Sequence, residues 1–160
     1  MFMPLEDLPY RQNIGLVIFN EEGDVFAGER IDTPGAWQMP QGGIDEGEDI
    51  ETAAYRELYE ETGIEKRHLE LLEIATEKTS YDLPPELQKR LWRGRFRGQE
   101  QVWLAFKFTG SDTDIDILAH DPPEFSRWKW LPFPDLLDYI VPFKKDTYIK
   151  VMALFKGHIK

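Results

Sequence analysis

Cysteine is absent from this 160-residue chain. No disulfide framework and no thiol nucleophile are therefore available, and a reducing cytoplasm is the expected location. Histidine is scarce: His68, His120 and His158 have no metal-ligand spacing and read as surface residues rather than catalysts. No apolar run approaches membrane-spanning length, and the opening MFMPLEDLPYRQN lacks the basic-then-apolar pattern of a secretory signal, so no membrane partner is expected. Internal repeats, low-complexity tracts and an interdomain linker are lacking too. One domain over 1–160, long enough to bury a core, is the expectation. Positive charge is also in short supply: 19 Lys and Arg against 30 Asp and Glu leave a net −11. That balance argues against general affinity for nucleic-acid phosphates.

The charge is unevenly placed, however. From Asp45 to Glu61 eight acids face one arginine, a local −7 that bound divalent cations would partly neutralise. From Leu87 to Lys107 six basic residues (Lys89, Arg90, Arg93, Arg95, Arg97 and Lys107) face Glu100, a local +5, with Trp92 and Phe96 interleaved. Lys144-Lys145 after Phe143 form a second small basic group. An acidic metal site flanked by cationic segments is what a polyphosphate substrate requires. The plainer reading of the arginine run is a solvated loop.

The acidic stretch carries the chemistry. Ala53 to Tyr59 are good helix formers without Gly or Pro, and Gly63 stands where a C-terminal stop belongs. On that helix Glu57, Glu60 and Glu61 fall at i, i+3 and i+4, so three carboxylates share one face. Like charges at that spacing destabilise an isolated helix by roughly 0.2–0.5 kcal/mol per pair, so something cationic is expected beside them. A solvated acidic face is the plainer alternative, and Arg56 can pair with Glu60. Glu61 has no such partner, since its neighbours at three and four residues are Glu57, Leu58, Ile64 and Glu65. Clustered hard oxygens suit Mg²⁺, with Mn²⁺ or another divalent cation as the alternative.

Gly42, Glu48, Arg56-Glu57-Leu58, Glu60-Glu61 and Gly63-Ile64 follow the spacing G-x5-E-x7-R-E-U-x-E-E-x-G-U, with U aliphatic. At average residue usage the chance of such a match is on the order of 10⁻¹⁰ per start position. The pattern resembles the Nudix box, the signature of enzymes that hydrolyse nucleoside diphosphates linked to another group. The resemblance covers nearly the whole chain. Tyr10-Arg11-Gln12-Asn13, WQMPQGGIDEGE from Trp37, Tyr81-Asp82-Leu83-Pro84, Gly98-Gln99-Glu100-Gln101 with Trp103, Pro123-Glu124-Phe125 with Trp128 and Trp130, and Val141-Pro142-Phe143-Lys144 occur in order. Together they are similar to one branch, the bacterial RNA 5′-pyrophosphohydrolases and dinucleoside polyphosphate hydrolases.

That resemblance implies an α/β (α+β mixed) Nudix fold, an α/β/α sandwich with a mixed sheet. It also implies that Glu57, Glu60 and Glu61 bind metal together with a distant Glu124, which otherwise reads as a solvated loop acid. By the same route Arg11, Arg30, Tyr81, Gln99, Phe143 and Lys144 resemble substrate contacts. Arginine and lysine suit phosphate, as a planar fork and a point charge, and Phe143 beside Lys144 would offer a stacking face to a nucleobase. Core packing is the plainer role for Phe143 and Tyr81. Glu48 and Arg56 read as a salt bridge holding the box loop against its helix, and Trp37, Trp103, Trp128 and Trp130 as core or hinge aromatics. One departure stands out: many members of the branch carry lysine where this chain has Val102. If that lysine binds phosphate, this chain either does without it or uses Lys107 or an arginine of the preceding run instead.

Elsewhere the pattern predicts a β-hairpin, with Ile14 to Phe19, the turn Asn20-Glu21-Glu22-Gly23-Asp24, and Val25 to Glu29. Strands are expected around Leu69 to Thr76, Val102 to Phe108 and Phe125 to Trp130. Pro84-Pro85 opens a turn-rich, partly helical segment reaching Trp92. Helices are expected over Pro132 to Ile140 and over Lys145 to Phe155, the latter with Tyr148, Ile149, Met152 and Phe155 on one side. Strands with a few separated helices give a layered α/β or α+β sandwich.

The resulting expectation is a metal-dependent pyrophosphohydrolase in which Glu57, Glu60, Glu61 and Glu124, with a backbone carbonyl near Gln41–Gly42, hold two or more Mg²⁺. Glu57 is the first candidate for the proton acceptor and Glu124 the second. The 5′-triphosphate end of RNA is the preferred substrate, which implies a place in mRNA decay; a dinucleoside polyphosphate such as diadenosine tetraphosphate is the runner-up. A catalytically silent nucleotide-binding module would tolerate loss of ligands, yet all four glutamates are present. The sequence leaves open a protein activator and the oligomeric state.

Overall fold

Two apolar strands organise the molecule. The structure, a computed structural model, describes residues 4–160; the first three residues of the N-terminal stretch lie outside them. Strand β1 (Tyr10–Phe19) runs parallel to β7 (Gly98–Phe108) over ten residue pairs, from Tyr10↔Gly98 to Phe19↔Lys107. Both strands are buried on both faces through their apolar halves, the expected state of a central strand covered by helices on each side. Successive side chains alternate between two cores. Ile14, Leu16 and Ile18 join Leu104, Phe106 and Phe108 in one, closed by Ala53, Ala54 and Leu58 of helix α1 (Ile50–Thr62). Val17 and Phe19 join Trp103 and Ala105 in the other, closed by Tyr148, Val151 and Phe155 at helix α4 (Lys145–Leu154). The mixed sheet therefore lies between helices.

The expected hairpin forms, but its strands part at once. β2 (Val25–Arg30) meets β1 only at Phe19↔Val25, then pairs along its length with β8 (Phe125–Leu131). Segment Trp37–Gly43 runs through the gap. Its first part, β3 (Trp37–Gln38), pairs with β2, and its last part, β4 (Gln41–Gly43), pairs with β1. Between them Pro40 accepts a hydrogen bond from the Leu16 N–H at 3.0 Å. On the far edge of β7, β5 (Leu69–Ile74) and β6 (Thr79–Asp82) share the strand, β5 taking the Phe108 end and β6 the Gly98 end.

Helix α1 has ends that its sequence dictates. Asp49 accepts the Thr52 N–H at 2.7 Å as N-cap, and Gly63, at φ 70°, closes the helix in the left-handed region that glycine adopts without Cβ penalty. Two helical expectations need correction, and the turn-rich segment after Pro84 is helical only in part, as expected. Regular helix α3 is limited to Phe133–Leu136, because the chain then turns so that the Tyr139 carbonyl can accept the Trp37 N–H at 3.0 Å. Between Pro84 and Trp92 only α2 (Pro85–Gln88) is α-helical, and Trp92 and Arg93 adopt left-handed backbone at φ 49° and 59°. On α4 the buried face is Tyr148, Val151 and the following Phe155, while Ile149 is 43% exposed. Spacings of three and four keep those three on one helical stripe, which Ile149 misses.

Tyr148 also ties α4 to the gap segment. Its hydroxyl accepts the Met39 N–H at 2.9 Å, and its ring meets Trp103 edge-on at 5.8 Å. Replacing Tyr148 by Phe leaves the Met39 N–H buried and unpaired, at a cost of about 1–3 kcal/mol. A melting temperature lower by about 2–12 °C, measured by calorimetry, is the expected outcome.

Candidate active site

The split hairpin opens a cavity of about 360 Å³ above the end of β1 and β4 where Arg11 and Gly43 lie. Glu57, Glu60 and Glu61 reach it from α1, Glu124 from the residue before β8, Arg11 from β1 and Arg30 from β2. Segments more than a hundred residues apart in sequence thus converge, because β8 pairs with β2 and brings Phe125 opposite Arg30. The Glu124 carbonyl accepts the Ile31 N–H at 3.1 Å, which fixes the backbone at that acid.

Arg56 fastens the loop before α1 to the helix. Its guanidinium donates to both Glu48 oxygens, at 2.8 and 2.9 Å, to the Gly43 carbonyl at 3.0 Å and to Glu57 at 2.8 Å. Glu60 lies at 3.4 Å from the same group. The paired guanidinium holds Glu48 at a pKa of about 2, and the Asp45 N–H adds to that effect. Gly42 packs directly on the Glu57 carboxylate, where any Cβ would collide. Neither Glu48 nor Arg56 lines the cavity.

Glu61 is 6% exposed and accepts the Gln41 N–H at 3.1 Å. Burial raises its pKa well above the usual carboxylate range, and the charges of Glu57 and Glu124 add to the effect. Burial likewise raises Glu57, against the opposing pull of Arg56. Among the described residues no three carboxylate or imidazole groups converge closely enough to hold a metal ion unaided. The donors nonetheless fit a hard divalent cation: a buried carboxylate in no ion pair among the described residues, two more from the same helix face and a fourth opposite. Mg²⁺ in particular uses few protein carboxylates and completes its shell with water and substrate phosphate.

The cavity floor is a ladder of amides on the paired strands, of which sequence reasoning named Gln99 as a contact but not the side chains of Asn13, Gln41 or Gln101. Gln101 donates to Asn13 at 2.8 Å and to Gln41 at 3.2 Å; Arg11 donates to Gln99 at 3.0 Å, and Gln99 donates to the Tyr81 hydroxyl at 2.5 Å. The available signal was the period-two placing of Arg11 and Asn13, and of Gln99 and Gln101, at the polar ends of otherwise apolar strands. Gln38 was missed as well, and it accepts from both Arg30 and Lys144 at 3.3 Å.

Tyr81, Phe143 and Lys144 do not themselves line the carboxylate cavity, but Lys144 bonds Gln38 and Tyr81 bonds Gln99, which both do. Tyr81 and Phe143, with ring centroids 5.6 Å apart, line a separate cavity beside Tyr10 and Asp82. Lys144 is only 4% exposed, and burial, with Arg30 nearby, lowers its pKa to about 7. It is thus not a fixed cation at neutral pH. Arg30 is held by Asp32 through bonds of 2.6 and 2.8 Å. Lys107 pairs with Phe19, eight residues along β7 from Gln99, roughly 26 Å away at strand rise. It is too distant to stand in for a phosphate-binding lysine at position 102, and Val102 itself packs beside the α1 core. His120, read as a surface residue, is exposed but lines the carboxylate cavity.

Residues 9–151 match the NUDIX domain. The chain belongs to the Nudix family. Relatives include an RNA pyrophosphohydrolase of Erythrobacter litoralis, 53% identical over 96% of this chain and 95% of its own length. Another, of Roseobacter denitrificans, is 49% identical over 95% of each. Among solved structures, this Nudix chain resembles the dihydroneopterin triphosphate pyrophosphohydrolase of E. coli, with TM-score 0.71 and 23% identity over 89% of this chain and 96% of that one. It also resembles a C. elegans Ap4A hydrolase, with TM-score 0.67 and 24% identity over 92% and 98%. Those two likenesses show the fold.

The raised Glu61 pKa makes a stability prediction for this Nudix domain in chelator. A carboxylate whose folded pKa exceeds the unfolded value of about 4.3 weakens the fold progressively as pH rises above that value. Glu61→Gln should therefore melt higher than wild type at pH 8, and the gap should close near pH 4. Each tenfold change in the ionisation equilibrium corresponds to about 1.4 kcal/mol, or about 3–6 °C. Added Mg²⁺ should raise wild type more than the mutant. Equal melting temperatures at pH 8 in chelator would contradict the assignment.

Proposed function

We propose that this Nudix hydrolase removes pyrophosphate from the 5′-triphosphate end of RNA and leaves a 5′-monophosphate. The observation that carries the reaction class is the convergence of Glu57, Glu60, Glu61 and Glu124 with Arg11 and Arg30 on one cavity. The RNA end is supported by the relatives of about 50% identity named RNA pyrophosphohydrolase, which this chain matches over nearly their full length. The four glutamates would hold Mg²⁺, with a carbonyl near Gln41–Gly42; Mn²⁺ would suit the same oxygens.

When bound, such ions neutralise phosphate charge and lower the pKa of a water aligned for in-line attack on phosphorus. Glu57 is the first candidate to take the proton of that water. Its side chain is 12% exposed, and burial has moved its pKa toward the range useful to a general base. Arg56 and Gly42 hold its carboxylate in place. Glu124, on the opposite side, is the second candidate. Arg11 presents a guanidinium to the phosphate chain, with its other contacts fixed by Gln99. Arg30, oriented by Asp32, faces the same space. Tyr81, Phe143 and Lys144 are proposed to receive part of the RNA body beyond Gln99. Solvent-exposed Lys89, Arg90, Arg93 and Arg95 supply the cationic surface that a chain of net charge −11 otherwise lacks.

Purified protein with Mg²⁺ should release pyrophosphate from 5′-triphosphorylated RNA faster than it cleaves diadenosine tetraphosphate, read by separating the products. Preference for diadenosine tetraphosphate would replace RNA as the substrate. Undiminished turnover in chelator would sink the metal mechanism.

Glu57→Gln and Glu124→Ala should each lower kcat by a hundredfold or more, with a smaller effect on KM, because their contribution appears as charge develops at phosphorus. A Glu124→Ala variant with wild-type kcat would remove that residue from the site.

A further inference from the structure

Trp92 is the one large aromatic among the described residues that line the carboxylate cavity, and nothing in the reaction described above uses it. It projects from the basic loop between α2 and β7. Left-handed backbone at Trp92 and Arg93, a conformation bulky residues avoid, turns the indole out of the loop. The ring is held where it emerges. The Arg11 guanidinium lies over it at 5.1 Å, and Phe96 meets it at 6.1 Å with an interplanar angle of 85°. Arg11 therefore touches the indole and the cavity at once. Tyr81 and Phe143 line a neighbouring cavity, so Trp92 offers the carboxylate cavity an aromatic face of its own.

We infer that Trp92 is a nucleobase-binding residue, stacking a base at the 5′ end of the RNA next to the phosphates held by Arg11. The inference rests on the RNA-end reading above. An indole presents a π-face to any base, so the contact is tolerant of sequence, as an enzyme acting on many RNA ends requires. The flanking Lys89, Arg90, Arg93 and Arg95 are all exposed and share the loop of Trp92, so they offer cationic side chains to the sugar-phosphate chain. Arg97 is excluded from that role by its ion pair with Asp82 at 2.9 Å.

The test compares wild type, Trp92→Ala and Trp92→Phe on a 5′-triphosphorylated oligonucleotide and on the same oligonucleotide with its first two nucleotides abasic. On the ordinary RNA, Trp92→Ala should raise KM roughly 5- to 150-fold, more than it lowers kcat, and Trp92→Phe should stay near wild type. On the abasic RNA the difference between wild type and Trp92→Ala should disappear, since no base is left to stack. A Trp92→Ala penalty that persists on abasic RNA would reduce Trp92 to loop packing and overturn the inference, as would equal KM values on ordinary RNA. Failure of the RNA reading itself shows in wild type alone, as turnover of diadenosine tetraphosphate in preference to RNA. Stopped-flow fluorescence with diadenosine tetraphosphate then decides: quenching in wild type that is absent in Trp92→Phe keeps the platform, and identical traces overturn it.

Discussion

A single guanidinium holds the catalytic half of this molecule in register. Arg56 bonds Glu48, the Gly43 carbonyl and Glu57 together, so one side chain joins the loop, the strand β4 and the helix α1. It is about one-quarter exposed, and as isolated pairs these contacts would contribute little. Their importance is geometric. Charge-assisted bonds with a planar fork set direction as well as distance. They orient Glu57 toward the cavity and bring Gly42 onto its carboxylate, with no room for a side chain between. The acids at 45 to 61 would otherwise repel one another without a fixed arrangement.

The second constraint is the parting of β1 from β2. A hairpin that stayed paired would have no space for Trp37–Gly43, and α1 would then start far from Arg11. Because β2 turns to β8 and β1 to β7, the gap segment is anchored on both sides, by Gln38 to β2 and by Gln41 and Gly43 to β1. Opening a sheet exposes polar backbone. Here the amides of Asn13, Gln41, Gln99 and Gln101 pair with one another and with Arg11 and Tyr81, so the buried polar groups of the floor are satisfied. The Tyr148 hydroxyl serves Met39 in the same way from the other face. The site is thus built on strands and a capped helix, with loops supplying Glu124 and Trp92.

Charge placement separates the ionisable residues around the cavity by their freedom. Arg11 and Arg30 are oriented by partners, Gln99 and Asp32, and the Asp32 carboxylate holds Arg30 firmly charged. Lys144, buried and beside Arg30, is poised near neutrality. Glu61 carries the complementary problem, a buried acid in no ion pair among the described residues. A cation at the carboxylates and an anion at the arginines would relieve both, which is the electrostatic pattern of a site completed by its metal and substrate.

Sequence reading reached some of this and stopped for identifiable reasons. The spacing of Glu57, Glu60 and Glu61, the cap at Asp49 and the stop at Gly63 are local, so helix periodicity alone determines that three carboxylates share a face. The pairing of Glu48 with Arg56 is nearly as local, spanning eight residues. Apolar runs placed the central strands, since burial on both faces leaves a continuous hydrophobic signature. What joins residues far apart in the chain was legible only through resemblance or not at all. Glu124 comes to the site through strand pairing with β2, and nothing in its own neighbourhood announces that. Lys144 and Phe143 are adjacent to each other in sequence, yet one is buried against Gln38 and the other faces a different cavity, because a 3₁₀ turn after Val141 points successive side chains in different directions. Trp92 looked like one aromatic in a solvated arginine run, and the left-handed turn that aims it at the carboxylates is a property of the folded loop. Periodicity and charge determined which chemistry is present. Long-range strand pairing, which no local pattern encodes, decided which of those groups meet.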